Sequence, residues 1–254
     1  MLSKNKIKQI LSLSRKKERE ETLLFVAEGN RIVSDLLPLL RCRTLVMTEE
    51  FRKTLPEQIH AEEMIVVDQE KIRKIAQQHT PQSAVAVFYQ PTYQLETGLL
   101  KDRFSLMLDT VQDPGNLGAI IRIADWFGIE DIICSEETVD VYNPKTVQAT
   151  MGAIGRVRVH YCNLHSLLDT IPEIPLFGTF LDGESIYQTT LPFTGILLMG
   201  NEGNGISPEM ERRVSRKLYI PNYPAGRKTS ESLNVAMATA IICSEFRRRK
   251  YDEC

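Results

Sequence analysis

The sequence predicts an α/β protein with a small N-terminal unit and a larger C-terminal unit built on a parallel sheet. Its 254 residues exceed the usual length of one domain, which is about 150 residues. Apolar residues make up 43% and charged residues 25% of the chain, which is typical of globular proteins and excludes disordered and fibrous classes. Short apolar runs of strand length alternate with amphipathic stretches of helix length, and this alternation predicts the class.

Four short apolar runs in the first 90 residues predict buried strands. They are Leu23–Ala27, Thr44–Met47, Met64–Val67 and Ala84–Phe88. Amphipathic segments near residues 30–40 and 69–78 predict helices between them. We interpret residues 1–90 as one domain and residues 91–103, a strand-poor segment with Pro91 and Gly98, as a linker.

Basic residues cluster at both ends of a chain whose net charge is only −2. The first cluster comprises Lys4, Lys6, Lys8, Arg15, Lys16, Lys17 and Arg19. Apolar residues interrupt this cluster at helical spacing, which favours a helix that contacts phosphate groups. The second cluster, Arg247–Lys250, fits phosphate contact and the last turn of a helix equally well.

The chain from residue 104 to 254 is expected to form the second domain. Apolar runs predict strands at 104–109, 131–135, 157–161, 176–180, 195–199 and 217–220. Helical segments between them predict a parallel sheet with helices on both faces. Ligands of such sheets bind beyond the carboxyl ends of the strands, and the unusual loops of this chain all follow predicted strands.

The first of these loops, Leu108–Gly118, leads into a predicted helix over Ala119–Phe127 that ends at Gly128. Asn116 is placed to cap this helix. Arg122 lies in the helix among residues that are almost all apolar. A guanidinium in such surroundings must be paired or must face a site.

Two further loops are rich in glycine or in polar residues. Gly200–Ile206 has glycines that permit close approach of a ligand, although a plain tight turn would use the same residues. It lacks the Gly-Lys-Ser/Thr ending of a phosphate loop, and Glu202 fits better near a cation. The third loop, Tyr219–Asn234, opens a buried apolar helix over residues 233–246. It contains three polar side chains, Ser230, Ser232 and Asn234, which is more than one N-cap requires, although capping is the alternative interpretation.

Together the three loops resemble the ordered motifs of the SpoU (TrmH-like) RNA ribose 2'-O-methyltransferases, which belong to the SPOUT class. The matching strings are Asp113-Pro-Gly-Asn-Leu-Gly-Ala-Ile-Ile-Arg122, Leu198-Met-Gly-Asn-Glu-Gly203, and Ile220-Pro with Ser232-Leu-Asn-Val235. The resemblance covers residues 104–250. The first 90 residues resemble the substrate-binding domain often fused ahead of that family, an α/β/α fold of small ribosomal proteins that bind RNA kinks. The resemblance also implies a deep trefoil knot in the C-terminal domain.

The resemblance implies S-adenosylmethionine as cofactor, with its adenine held largely by backbone groups. The matching cofactor positions are Thr179, Leu198, Gly200, Ile220 and Leu233, and the matching catalytic positions are Asn116, Arg122, Glu202, Ser232 and Asn234. Arg122 is expected to position the target ribose or its phosphate, since a guanidinium is a poor base. Asn116 and Asn234 would orient the hydroxyl and the loops, Ser232 would fix the cofactor or Arg122, and Glu202 would hold basic groups. One departure is a longer loop over residues 222–231, from which Arg227 or Lys228 is expected to reach RNA.

The partners and the location are expectations of the same kind. The accessory domain favours ribosomal RNA, specifically 23S, over transfer RNA as substrate, and the family implies a homodimer. The N-terminus lacks a secretory signal, and no apolar run has the roughly 18 residues of a membrane helix, so we expect a soluble cytoplasmic protein. Five cysteines and four histidines show no ligand spacing, so no metal is expected. Two alternatives are a catalytically silent RNA-binding assembly protein and a nucleotide-dependent oxidoreductase, although the glycine fingerprint of the latter is missing.

Overall fold

The computed structural model describes residues 2–224, 227–228, 230 and 232–251, and the side chains of all of these except 249–251. It contains two compact units. Unit 1 is formed by residues 2–92 together with 140–156, and unit 2 by residues 93–139 together with the chain from 157 onwards. Segment 140–156 therefore packs with unit 1, whereas the sequence analysis treats 104–254 as one continuous domain.

The secondary structure follows the predicted alternation of strands and helices. The strands are β1 (Leu24–Glu28), β2 (Cys42–Met47), β3 (Ala61–Val66), β4 (Ala84–Tyr89), β5 (Phe104–Leu108), β6 (Asp131–Cys134), β7 (Arg158–Tyr161), β8 (Leu176–Ser185), β9 (Gly195–Met199) and β10 (Arg216–Tyr219). The helices are α1 (Lys4–Ser12), α2 (Lys16–Thr22), α3 (Asn30–Leu36), α4 (Glu49–Arg52), α5 (Gln69–Arg73), α6 (Pro114–Trp126), α7 (Pro144–Thr150), α8 (Leu164–Thr170), α9 (Pro208–Glu211) and α10 (Val235–Tyr251). Short 3-10 helices lie at Thr97–Asp102 and Ala153–Gly155.

Unit 1 is built on a four-stranded mixed sheet in the order β1-β4-β2-β3. β4 runs antiparallel to β1 and β2, and β3 runs parallel to β2. The apolar residues of β1, β2 and β4 are buried, and Ile10 and Leu13 pack against them from the N-terminal helices. Each helix start that a local side chain caps uses a short polar residue, such as Ser3 for α1 and Thr48 for α4.

Unit 2 is built on a six-stranded sheet in the order β10-β8-β9-β5-β6-β7. All of its strand pairs are parallel, as predicted. β5, β6 and β9 are completely buried, which is the reason that their sequences are largely apolar. α6 and α10 pack against each other. Within the described residues, no helix combines the length and the apolar character needed to cross a membrane.

The carboxyl ends of these parallel strands gather the loops singled out in the sequence. β5 ends at Leu108 and β9 ends beside it at Met199. β8 pairs with β9 only up to Gly178, and its later residues pair with β10 after a shift in register. The residues that follow β5, β9 and β10 therefore lie at one edge of the sheet.

Candidate functional site

The loop after β5 is fixed by hydrogen bonds at both of its ends. Asp109 is buried, and its Oδ2 accepts a hydrogen bond of 2.8 Å from the N–H of Ser207. At the other end, Asp113 is the N-cap of α6, because its Oδ1 accepts the N–H of Asn116 at 2.8 Å and Pro114 occupies the first turn. The prediction that Asn116 caps a helix beginning at Ala119 was therefore wrong. Asp followed by Pro was the signal for the earlier start.

Asn116 instead joins the three loops through its side chain. Its Nδ2 donates to Glu202 Oε1 at 2.9 Å, and its Oδ1 accepts from Asn234 Nδ2 at 2.8 Å. Asn234 Oδ1 in turn accepts the N–H groups of Ala236 and Met237 at the start of α10. Capping is thus one role of Asn234, and the contact to Asn116 is a second. We call these three side chains, Asn116, Glu202 and Asn234, the amide–carboxylate chain.

Within the described residues, Glu202 is held by amide donors and not by the basic groups that were expected. Besides Asn116, the backbone N–H groups of Gln112 and Asp113 donate to its carboxylate at 3.2 and 3.1 Å. Partial burial by itself would raise the pKa of Glu202, but these hydrogen bonds outweigh burial and hold the pKa below its usual value. Glu202 is therefore an ionised acceptor whose oxygens are already engaged.

The loop after β9 is a tight turn stabilised by Asn201. The backbones of Asn201 and Gly205 exchange two hydrogen bonds, and a Cβ on Gly200 would lie 2.2 Å from the carbonyl carbon of Gly205. Asn201 Oδ1 accepts the N–H groups of Gly203 and Asn204, while its Nδ2 donates to Thr110 O at 2.8 Å. Sequence reasoning missed Asn201, because its partner lies far away in the chain.

Four of the five candidate cofactor positions lie at the carboxyl edge of β8, β9 and β10. Thr179 directly follows the last β8 residue that pairs with β9, Leu198 is buried in β9, and Gly200 and Ile220 follow β9 and β10. In the described part of the chain, the backbone N–H and C=O groups of Gly200 and Ile220 form no hydrogen bonds. Gly200 is buried, and a buried backbone group without a partner is rare in proteins. This edge fits a flat, uncharged ring system bound through backbone groups, such as adenine.

The other candidate residues lie on the exposed surface. Arg122 is exposed on α6, and no described residue pairs with it. Ser232 and Leu233 are also exposed, and no hydrogen bond of Ser232 is formed within the described residues. Of the longer loop over 222–231, positions 225, 226, 229 and 231 lie outside the described residues; in the rest, Asn222 Nδ2 donates to Arg227 O at 2.9 Å.

The N-terminal basic cluster is largely neutralised by carboxylates of unit 1. Lys16 and Lys17 lie 3.7 Å from Glu20 and Glu21, which follow them by one helical turn. Three further residues are paired: Lys6 with Glu63, Arg15 with Glu18, and Arg19 with Asp140 through both Nε and Nη2. Lys4 and Lys8, which are exposed on α1, have no ion pair among the described residues. Among these residues there is also no group of three or more acidic, histidine or cysteine side chains arranged to bind a metal.

Comparison with known proteins gives consistent matches over the whole chain. The model of the SpoU rRNA Methylase family matches residues 103–244, and that of an MRM3-like substrate binding domain matches residues 4–86. The 23S rRNA (guanosine(2553)-2'-O)-methyltransferase RlmP of Bacillus subtilis is 31% identical over 95% of this chain and 96% of its own length. A structure from Porphyromonas gingivalis, assigned to the TrmH family of RNA methyltransferases, superposes with a TM-score of 0.87 at 42% identity, covering 98% of this chain and 99% of that one. An AdoMet-bound rRNA methyltransferase from Sinorhizobium meliloti gives a TM-score of 0.83 at 32% identity, covering 98% and 96%.

Proposed function

The chain belongs to the SpoU rRNA Methylase family, and we propose that it transfers a methyl group from S-adenosylmethionine to a ribose 2'-hydroxyl of 23S ribosomal RNA. The observation that carries this proposal is the amide–carboxylate chain. It connects the loops after β5 and β9 with the start of α10 through two hydrogen bonds between side chains. These loops are the three segments that resemble the family's motifs, so they form one site.

The residues at the strand edge fit the cofactor. When bound, S-adenosylmethionine supplies an electrophilic methyl group on sulfur. The free backbone groups of Gly200 and Ile220 would hold its adenine, with Leu198 and Thr179 beside them. Because adenine would be recognised by backbone groups, no acidic side chain is needed there for the ribose.

The reaction requires the protein to align the attacking 2'-oxygen and to allow its proton to leave. The ribose 2'-oxygen forms a bond to the methyl carbon while the carbon–sulfur bond breaks, and the hydroxyl proton is lost. Glu202 is a poor acceptor for this proton, because three N–H donors already stabilise its ionised form. Glu202 therefore orients Asn116, which with Asn234 offers amide groups to the hydroxyl. Arg122 positions the ribose or its phosphate, and the proton passes by way of a substrate phosphate to water.

The active form is a homodimer, and the C-terminal domain contains a trefoil knot. Support for the dimer comes from apolar side chains exposed on the packed helices α6 and α10, where Trp126 is 85% and Met237 is 64% exposed. Arg122 lies one turn before Trp126, so a second copy on this surface would bring its Arg122 to the interface. Light scattering after gel filtration tests this, with Trp126→Glu expected to give a monomer that has lost turnover.

Transfer of labelled methyl groups to RNA tests the function. The full chain is incubated with labelled S-adenosylmethionine and with total RNA and ribosome precursor particles from cells that lack it. After separation by size and nuclease digestion, we expect label in 23S rRNA as a 2'-O-methylnucleotide. Label in transfer RNA would support the proposed methyl transfer but would identify transfer RNA, and not 23S rRNA, as the substrate. No label in any fraction would contradict the proposal and favour a non-catalytic RNA-binding role in assembly.

A further inference from the structure

A cavity of about 480 Å³ lies in unit 1. Its lining residues are distant in sequence from the three side chains of the amide–carboxylate chain. It opens where β1 and β2 end and where β4, which runs between them, begins. Asn30, Arg31 and Ser34 line it from α3, Glu50 and Phe51 line it from α4, and Ser83 lines it from the residue before β4.

Several polar side-chain groups around the cavity have no partner among the described residues. Within the described residues, the side chains of Arg31 and Glu50 form no ion pair and no hydrogen bond. The hydroxyls of Ser34 and Ser83 and the Nδ2 of Asn30 have no partner within the same residues. The cavity therefore presents one cation, one carboxylate, an amide donor and two hydroxyls to a ligand.

The walls of the cavity are held in place by hydrogen bonds between its elements. Asn30 Oδ1 accepts the N–H of Ser83 at 2.9 Å, and the N–H of Asn30 donates to Gln82 Oε1 at 2.7 Å. The N–H of Thr48, at the end of β2, donates to Ser83 O at 2.9 Å. These bonds connect the ends of β1 and β2 to the start of β4, so the backbone that carries the polar groups is held in place before a ligand arrives.

We propose that this cavity binds one unpaired guanine nucleotide of the substrate RNA. The inference rests on the proposed action on RNA. Proteins read RNA sequence through unstacked bases, with hydrogen bonds to base edges and contact with aromatic rings. Guanine presents two adjacent N–H donors that suit the Glu50 carboxylate and a carbonyl oxygen that suits the Asn30 amide. Phe51 supplies apolar wall, and Arg31 supplies a guanidinium for the phosphate.

The first test uses the full chain labelled with ¹⁵N and titrated with single nucleotides. Guanosine 5'-monophosphate is expected to shift the backbone signals of Asn30 and Ser83 more than the cytidine nucleotide does at equal concentration. Glu50→Gln should remove this difference, because the amide replaces one of the two acceptor oxygens that face the guanine N–H groups by a donor. Equal shifts with both nucleotides, or shifts elsewhere only, would overturn the proposal.

The second test measures affinity for a 23S rRNA transcript. Arg31→Ala and Ser34→Trp, which fills the cavity, should each weaken RNA binding about tenfold. Arg73→Ala, which removes another exposed arginine without an ion pair, is the control and should change it less than twofold. Affinity for S-adenosylmethionine is measured in parallel and should be unchanged. Normal RNA affinity in both cavity variants would refute the cavity as an RNA site, whereas failure of the wild type to bind the cofactor would refute the proposed function instead.

Discussion

The orientation of one amide decides how the candidate site is held together. Asn116 donates to a carboxylate on one side and accepts from the Asn234 amide on the other. A carboxamide at position 116 can do both, whereas a carboxylate has no donor and a lysine has no acceptor. The two loops and α10 are therefore coupled at a single residue.

Asn116→Asp keeps the shape of this side chain but places a second carboxylate against Glu202. At neutral pH the two charges repel, so we expect a lower Tm and a loss of turnover of at least about 100-fold. Repulsion raises the folded-state pKa of the pair above its unfolded value, so the folded variant binds a proton more tightly. The deficit in Tm should therefore be largest at pH 7 to 8 and shrink as the pH falls towards about 5.

Asn116→Ala is the control for this pH dependence, because it removes the same hydrogen bonds without adding a charge. Its Tm deficit relative to wild type should stay constant between about pH 5 and 8. If both variants gave parallel curves of Tm against pH, the side chain at position 116 would not face the Glu202 carboxylate in solution.

Arg122 gives a prediction of a different kind, since it is exposed and forms no hydrogen bond or ion pair with a described residue. Arg122→Lys keeps the charge but loses the planar fork that binds a phosphate or ribose through two N–H groups. We expect kcat to fall at least about 100-fold, with Tm and affinity for S-adenosylmethionine unchanged. Arg212→Lys, another exposed arginine, is the control and should be fully active. Full activity of Arg122→Lys would contradict the proposal that Arg122 positions the substrate.

At the scale of elements, the sequence predicted the strands better than the helix ends. Buried strands such as β5 and β9 have largely apolar sequences, so their limits could be found within one or two residues. The start of α6 was missed because Pro114, Gly115 and Asn116 are residues that also occur in turns.

Contacts between distant segments could not be predicted from local patterns. The bonds from Asn116 reach 86 residues to Glu202 and 118 residues to Asn234. For the same reason the sequence did not reveal how much of the first basic cluster is ion-paired, since two of its carboxylate partners, Glu63 and Asp140, lie well outside it. The family motifs were the signal that placed the three loops in one site.

The turn after β9 should tolerate an added methyl group at one glycine and reject it at another. At Gly200 a Cβ would lie 2.2 Å from the Gly205 backbone, which cannot move without breaking the turn. Gly200→Ala should cost about 1–3 kcal/mol in urea unfolding and should abolish cofactor binding. At Gly203 the nearest atom would be 3.6 Å away, so Gly203→Ala is a matched control with little effect. Equal stability of the two variants would mean that the turn adopts another conformation.

α1 carries two lysines that are free to contact RNA and one that is not. Lys4 and Lys8 have no carboxylate partner in the described structure, whereas Lys6 lies 2.6 Å from Glu63. Neutralising Lys4 and Lys8 together should weaken RNA binding and reduce its salt dependence by roughly one unit of slope per lost phosphate contact. Lys6→Gln should change the slope less. If Lys6→Gln had the larger effect, the ion pair with Glu63 would open when RNA binds.

At the scale of the whole molecule, unit 1 is built from two separate stretches of chain. Segment 140–156 supplies α7, which packs on β1, and Tyr142, whose ring centroid lies 4.9 Å from that of Phe25. Asp140 pairs with Arg19, whose side chain is only 3% exposed and also donates to Leu13 O and Ser14 O. A fragment that ended at residue 92 would therefore leave a buried guanidinium without its carboxylate.

Asp140→Asn tests how far unit 1 depends on that second stretch. The change keeps the size of the side chain but removes the charge opposite Arg19, and breaking a buried ion pair costs roughly 3–5 kcal/mol. We expect a loss of about 3 kcal/mol in the free energy of urea unfolding, because Asp140 keeps 18% exposure and water offsets part of the cost. Asp68→Asn breaks the exposed pair with Lys71 and should cost less than about 1 kcal/mol. Similar losses in both variants would show that segment 140–156 adds little to the stability of unit 1.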